Sequence, residues 1–407
     1  MTSTPVASRS AIQIVIRTPL YRGATIALFL AGVGLSSAAP LMSLFLVEDL
    51  HASLTTAGLY ALTNLAAPLA GYLVGSHSDR IGDRLGLFRI CAVLGFVGWA
   101  VIAVSTQLWV PIVVNILVLG FAGAATSQLF AAVQDDPVPE IDGVIAIIRI
   151  ALVGGWVVGP VLGSLLASWT SVRFLFFVTG LCLLAQILPL GRLRTTVTVR
   201  ADASPQVAPG ISAMTPLLVF TALTVLAYAG DTIKFAYLPL YMSRELDLPS
   251  GLRGAIIGAQ PLVEILVIPA AIALSRKIGA MPLLMLGCVL SALGAVCFAV
   301  IGNAAGLFAG QILIGFLWGI FGGLGIIVAQ RLLPASIATA SAIFISAEPL
   351  STAVGGLAGG LGVAELGIPH VFFVPAVLAV IATAGLAVMA VVGPADGRGA
   401  HATPAEH

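Results

Sequence analysis

Apolar residues run in long blocks along this chain, and polar residues collect in short interruptions between them. The blocks fall at about 20–47, 54–74, 85–105, 109–133, 143–168, 172–190, 215–243, 251–274, 282–301, 305–331, 336–363 and 368–392. Most match or exceed the ~20 residues that an α-helix needs to cross the hydrocarbon core of a bilayer. Backbone polar groups find no water there, so blocks of this length must close their own hydrogen bonds as helices. The pattern predicts an all-α membrane protein with twelve transmembrane helices. Ser53 stands where it can cap the second helix. Pro40 is expected to break the first helix, and Pro349 to kink the eleventh.

Two interruptions are informative. Gly75-Ser76-His77-Ser78-Asp79-Arg80-Ile81-Gly82-Asp83-Arg84 separates the second and third blocks. So short a link makes its two helices antiparallel neighbours, and Gly82 permits the reversal. Asp79 must pair with an Arg or cap a helix nearby. The other interruption, 191–213, holds Arg192, Arg194, Arg200, Pro205 and Pro209 and has no apolar periodicity. It reads as a cytoplasmic linker between a six-helix bundle at 1–190 and a second bundle with its tail at 214–407. The halves echo each other. Arg80-Ile81-Gly82 matches Lys277-Ile278-Gly279 at an offset of 197, Pro40-Leu41 matches Pro239-Leu240 at 199, and Gly120-Phe121 matches Gly315-Phe316 at 195. Gly159 and Gly163 match Gly356 and Gly360 at 197. A duplicated unit around a shared midplane site is a common plan for secondary transporters.

Composition agrees. The 407 residues are 59% hydrophobic and 9% charged, with mean hydropathy +1.11. A net charge of +1 leaves no electrostatic surface for nucleic acid. Cys91, Cys182, Cys288 and Cys297 all lie inside apolar blocks and form neither a metal pattern nor a disulfide framework. The N-terminus is polar to about Gln13 and reads as carrying no removable signal peptide. With both termini cytoplasmic, thirteen Lys and Arg fall on the cytoplasmic side, and only Arg173, Arg244 and Arg253 fall outside. That bias fits an even number of spans.

The spacing G-x-x-x-D-R-x-G-x-R at 75–84, carried by Gly75, Asp79, Arg80, Gly82 and Arg84, resembles the loop between helices 2 and 3 of the major facilitator superfamily. The fuller string from His77 to Arg84 is similar to the bacterial sugar efflux transporters of that superfamily. Asp83 departs from the general pattern, where a basic residue is usual, but an acidic one is familiar in that branch. Gly155-x-x-x-Gly159-Pro160-x-x-Gly163 resembles the antiporter motif of the superfamily's drug and sugar exporters, although small residues at this spacing also serve plain helix packing. The resemblance implies two pseudo-symmetric six-helix bundles and a central cavity lined by helices 1, 4, 7 and 10. It implies export of a small molecule against protons across the bacterial inner membrane, and a monomer.

Ionisable residues inside spans cost at least ~2.5–3.5 kcal/mol each at a helix centre, so each needs a partner or water. There are five: Arg149, Asp231, Lys234, Glu264 and Glu348. Glu264 has Gln260 four residues back on the same face. Burial in a dry bundle favours a carboxyl's neutral form and entry of water reverses that, as proton coupling requires. Sugar efflux relatives tend to carry an acidic residue in this helix, and an Arg at the place of Arg149. Arg149 either snorkels to Asp142 or Glu140 or faces the cavity. Asp231 and Lys234 share a face at i, i+3 and either neutralise each other or meet ligand. Tyr228 and Tyr237 lie on that helix and offer phenols to a polyhydroxylated ligand. Glu348 is a candidate partner for Arg149 or Lys234. Asn115, Gln128 and Trp318 are further candidates, each open to a reading as helix–helix glue. No Walker loop, nucleophile set or metal-spaced cluster appears, so no enzyme chemistry, cofactor or metal is expected. The expectation is a transporter exporting sugars or glycosides by proton antiport and alternating access, with efflux of drug-like or amphipathic compounds as the alternative.

Overall fold

The computed structural model of the chain describes residues 11–136, 141–193 and 211–392. The tails, loop residues 137–140 including Glu140, and the linker stretch 194–210 with Arg194, Arg200, Pro205 and Pro209 lie outside the described residues, as do Arg9 and Arg398. Among the described residues, twelve helices are long and apolar enough to cross a membrane. They are α1 (Pro19–Asp49), α2 (Leu54–Ile81), α3 (Arg84–Val104), α4 (Trp109–Gln134), α5 (Gly143–Trp169) and α6 (Val172–Leu190) in the first half. The second half has α7 (Ser212–Glu245), α8 (Ser250–Ile278), α9 (Ala280–Val300), α10 (Ala304–Leu332), α11 (Thr339–Leu366) and α12 (His370–Val391).

The duplication is visible in the backbone. α1 and α7 both end in a π-helical turn, at Phe45–Asp49 and Tyr241–Glu245. The only non-glycine residues with positive φ among those described, His51 and Asp247, follow at the same offset of 196. The N–H of Leu50 bonds to Phe45 O, and that of Leu246 to Tyr241 O. Equivalent sequence positions therefore carry equivalent and unusual geometry.

Three apolar cores can be distinguished among the described residues. One joins both halves and contains Phe45, Phe176, Tyr237 and Phe372. The other two each belong to one half, around Tyr21, Leu28 and Phe88 and around Phe220, Leu284 and Phe321. The shared core lies at the end that carries the α1–α2 and α7–α8 turns, here called the far end. The separate cores lie at the end that carries Gly82 and Gly279, the basic end. α2 meets α11 along 54–65 and 347–366, whereas 66–81 and 337–345 make no comparable contact with the opposite half. The halves are thus closed at the far end and apart at the basic end.

Three sequence expectations need correction. Residues 75–81 are not a loop, because α2 runs to Ile81 and only Gly82, at φ 69°, and Asp83 separate it from α3. A polar side chain does not stop a helix; the left-handed Gly82 does, with its N–H bonded to Ser78 O. Pro40 does not break α1, whose α-helical part runs unbroken from Pro19 to Leu44. The helix survives one missing hydrogen bond because α5 packs tightly along 32–37. Glu48 and Asp49 belong to the closing π-helical turn of α1, beyond the end at about 47 that the apolar block implies. As expected, Ser53 Oγ accepts from Thr56 N and caps α2. The eleventh helix is interrupted at Ser346, between Ile337–Ile345 and Ala347–Leu366. Pro349 sits just beyond, where its ring opposes the carbonyl four residues earlier.

Candidate functional site

Between the halves lies a cavity of about 210 Å³. The second half supplies Asp231 from α7, Gln260 and Glu264 from α8, Trp318 from α10 and Glu348 from α11. The first half faces them with Ser36, Leu152, Val153, Trp156 and Pro160. The cavity is therefore asymmetric, with three carboxyl side chains on one wall and an apolar, Trp-bearing surface on the other. Glu264 is half-buried and Glu348 opens onto the cleft.

Lys234 stands just behind this acidic wall. It is 2% exposed and donates both to Asp231 Oδ1 and to Gln260 Oε1. Its ammonium also lies over the Phe235 ring, 4.5 Å from the centroid. The predicted i, i+3 pair is thus formed, and Gln260 ties it to α8. Tyr228 braces the aromatic part of the wall, stacked on Trp318 with centroids 4.4 Å apart and planes 3° apart.

Other candidates fall elsewhere. Tyr237 is fully buried at the seam between the halves, where its hydroxyl donates to Leu54 O at 3.2 Å. Asn115 donates to Thr63 Oγ1 at 2.5 Å and to Asn64 Oδ1 at 3.2 Å, joining α4 to α2. Gln128 is buried, and its Oε1 accepts from Ser78 Oγ at 2.5 Å. Arg149 is exposed, one turn from Leu152 and Val153 on the basic side of the cavity. The expected pairing of Glu348 with Arg149 or Lys234 is not formed among the described residues, since Lys234 is held by Asp231 and Gln260.

The motif at 75–84 makes a lock at the basic end. Arg84 Nη1 donates to Asp79 Oδ1 at 2.5 Å and to Ser78 Oγ at 3.0 Å, and Arg84 Nε donates to Asp135 Oδ2 at 3.0 Å. The partner anticipated for Asp79 is therefore Arg84, and Gln128 belongs to the same network. Asp83 caps α3 by accepting from Gly86 N at 2.8 Å. Among the described residues, neither Arg80 nor Gly75 makes a close contact of this kind, and a Cβ at Gly75 would meet open space.

The glycines of α5 hold it against α1. A Cβ at Gly155 or Gly159 would lie 2.6 Å from a carbonyl oxygen of α1, Phe29 or Val33, and one at Gly163 would lie 2.7 Å from Ser37 O. The close approach lets Ser36 Oγ donate to Gly155 O at 3.1 Å and Ser37 Oγ to Gly159 O at 2.8 Å. Pro160 then meets the other half, because Gly254 of α8 has room for no side chain against Pro160 O. Sequence reasoning passed over Gly254 and Gly258, although their i, i+4 spacing repeats that of Gly155 and Gly159. It also passed over Ser36, Phe235 and Arg253.

A family model described as Major Facilitator Superfamily matches residues 24–338 and, separately, 220–406. Among curated proteins, Sugar efflux transporter A of Dickeya chrysanthemi is 26% identical, over 88% of this chain and 92% of its own length. Multidrug resistance protein MdtG of Proteus mirabilis is 29% identical, over only 37% of this chain and 39% of its own. The crystal structure of nucleoside transporter NupG superposes with a TM-score of 0.76 at 19% identity, covering 91% of this chain and 98% of that one.

Proposed function

The chain belongs to the Major Facilitator Superfamily and is a multi-pass membrane transporter rather than an enzyme, and we propose that it exports sugars or glycosides in exchange for protons by alternating access. The observation that carries this reading is the central cavity. Asp231, Glu264 and Glu348 converge there from three helices of one half, opposite Trp156. Carboxylates and an amide suit the hydroxyls of a sugar, and Trp faces suit its C–H surfaces. The similarity to sugar efflux transporters over most of both chains supports the same substrate class.

Sugar enters from the basic end, which faces the cytoplasm of a bacterial inner membrane under the positive-inside rule. Both termini then lie in the cytoplasm, with 191–213 linking the two bundles. With the far end open, Glu264 takes a proton, aided by Asp231 or Glu348; with the basic end open it releases the proton inward. Protonation changes what the carboxyl binds, and so shifts the balance between the two states. Arg149 guides ligand at the cytoplasmic mouth. The Arg84 lock holds α2, α3 and α4 as one body while the halves rock.

A second reading is export of amphipathic, drug-like compounds, favoured by the apolar wall of Leu152, Val153 and Trp156. Competition in everted membrane vesicles separates the two. Radiolabelled lactose uptake that glucose inhibits and a lipophilic dye does not supports sugar export. Dye transport without lactose uptake overturns it.

A further inference from the structure

Beyond the central cavity, toward the far end, lies a second space of about 120 Å³ between the halves. The first half lines it with Glu48, Ser164 and Ser168, the second with Ser243 and Arg253. Arg253 is half-buried and forms no ion pair among the described residues. Glu48 uses Oε1 to accept from Arg244 Nε. Leu41, Leu44 and Val172 give the space an apolar floor.

This space continues the central cavity. On α8, Arg253, Ile257, Gln260 and Glu264 recur at intervals of four, three and four and so share one helix face. On α5, Trp156, Pro160, Ser164 and Ser168 do the same at intervals of four. The two stripes run from the central cavity into the far one. A single side chain, Ile257, lines both spaces and stands between them, 6% exposed. Backbone contacts flank it on either side, because Gly254 and Gly258 press against Pro160 O and Val157 O.

We infer that the far cavity is a second binding subsite for a polyhydroxylated ligand, with Ile257 as the partition that ligand passes on its way out. The inference rests on the sugar-export reading. A half-buried guanidinium with no carboxylate in ion-pair contact among the described residues, only the more distant charges of Glu48 and Asp247, keeps donors in a fixed fork for a ligand. The three hydroxyls donate or accept as the ligand requires, and Glu48 accepts. A sugar ring presents that mixture of donors, acceptors and C–H faces; a lipophilic cation does not, and would meet Arg253 as a like charge.

The test uses the purified full-length protein in detergent and follows alkylation by N-ethylmaleimide above the background of the native thiols. Ser168→Cys reports the far space and Val153→Cys the central one. By mass action, lactose at ten times its half-protecting concentration slows labelling about tenfold wherever it binds. The expected result is protection at both positions, with Arg253→Gln abolishing it at Ser168→Cys and leaving it at Val153→Cys. That retained protection also shows that the Arg253→Gln protein is folded. Protection at Val153→Cys alone, or protection at Ser168→Cys that survives Arg253→Gln, overturns the subsite and leaves sugar export standing. Protection at neither position overturns both.

Discussion

Glu48 and Arg244 occupy equivalent positions in the two halves, and they pair with each other: Arg244 Nε lies 3.2 Å from Glu48 Oε1. The offset, 244 − 48 = 196, is the one that relates His51 to Asp247 and the turn at Phe45 to the turn at Tyr241. Equivalent residues that meet must lie close to the pseudo-symmetry axis. The pair therefore bridges the halves at the centre of the closed far end, where any opening must separate it.

Breaking that pair should loosen the far end by a limited amount. Both side chains are nearly half exposed, and exposed pairs contribute roughly 0.2–1 kcal/mol. Arg244→Gln should then speed labelling of Val153→Cys by an impermeant thiol reagent in right-side-out vesicles, by no more than about fivefold. The exchange of both residues, Glu48→Arg with Arg244→Glu, should return the rate toward its starting value. An unchanged rate in Arg244→Gln would show that the pair does not help close the gate.

Adjacent glycines in α5 should differ sharply. A Cβ at Gly155 would meet the α1 backbone, 2.6 Å from Phe29 O, while one at Gly154 would meet nothing within 4 Å. Gly155→Ala should cost about 1–3 kcal/mol by forcing α1 and α5 apart, seen as a lower melting temperature in detergent. Gly154→Ala should leave it near the wild-type value. Equal effects would mean that α5 does not pack on α1 through this face.

Lys234 and Asp231 should behave as a unit. Asp231→Asn leaves the ammonium of Lys234 buried with only Gln260 to receive it, a loss of about 3–5 kcal/mol for a broken buried pair. Adding Lys234→Met removes the stranded charge and should restore most of the folded yield, measured by size-exclusion chromatography. A double variant that folds but does not transport lactose would place the pair in ligand handling as well as in structure. One no more stable than Asp231→Asn would count against this pairing.

How far the site was legible follows from what helical spacing can and cannot encode. Spacing alone was enough to anticipate the pairing of Asp231 with Lys234, because residues three apart share a face wherever the helix goes. It also separates Tyr228 from Tyr237. Nine residues make two and a half turns, so these phenols point to opposite sides of α7. Tyr228 braces Trp318, while Tyr237 bonds to Leu54 O at the seam. Polarity was the wrong guide to the end of α2, which runs on to Ile81, whereas the missing Cβ of Gly82 rightly marked where the chain turns. Nothing local could show that Gln128 serves Ser78 rather than the cavity, or that Ile257 divides two spaces. Those facts depend on which helices become neighbours.

If a carboxyl in this cavity couples sugar export to protons, lactose uptake into everted membrane vesicles must follow the pH gradient. An acidic lumen should drive uptake by the wild-type protein, and collapse of the pH gradient should stop it. Glu264→Gln should abolish gradient-driven uptake while exchange of labelled for unlabelled lactose, which needs no net proton movement, continues. Uptake that ignores the gradient, or that Glu264→Gln leaves as fast as wild type, would rule out proton coupling through Glu264.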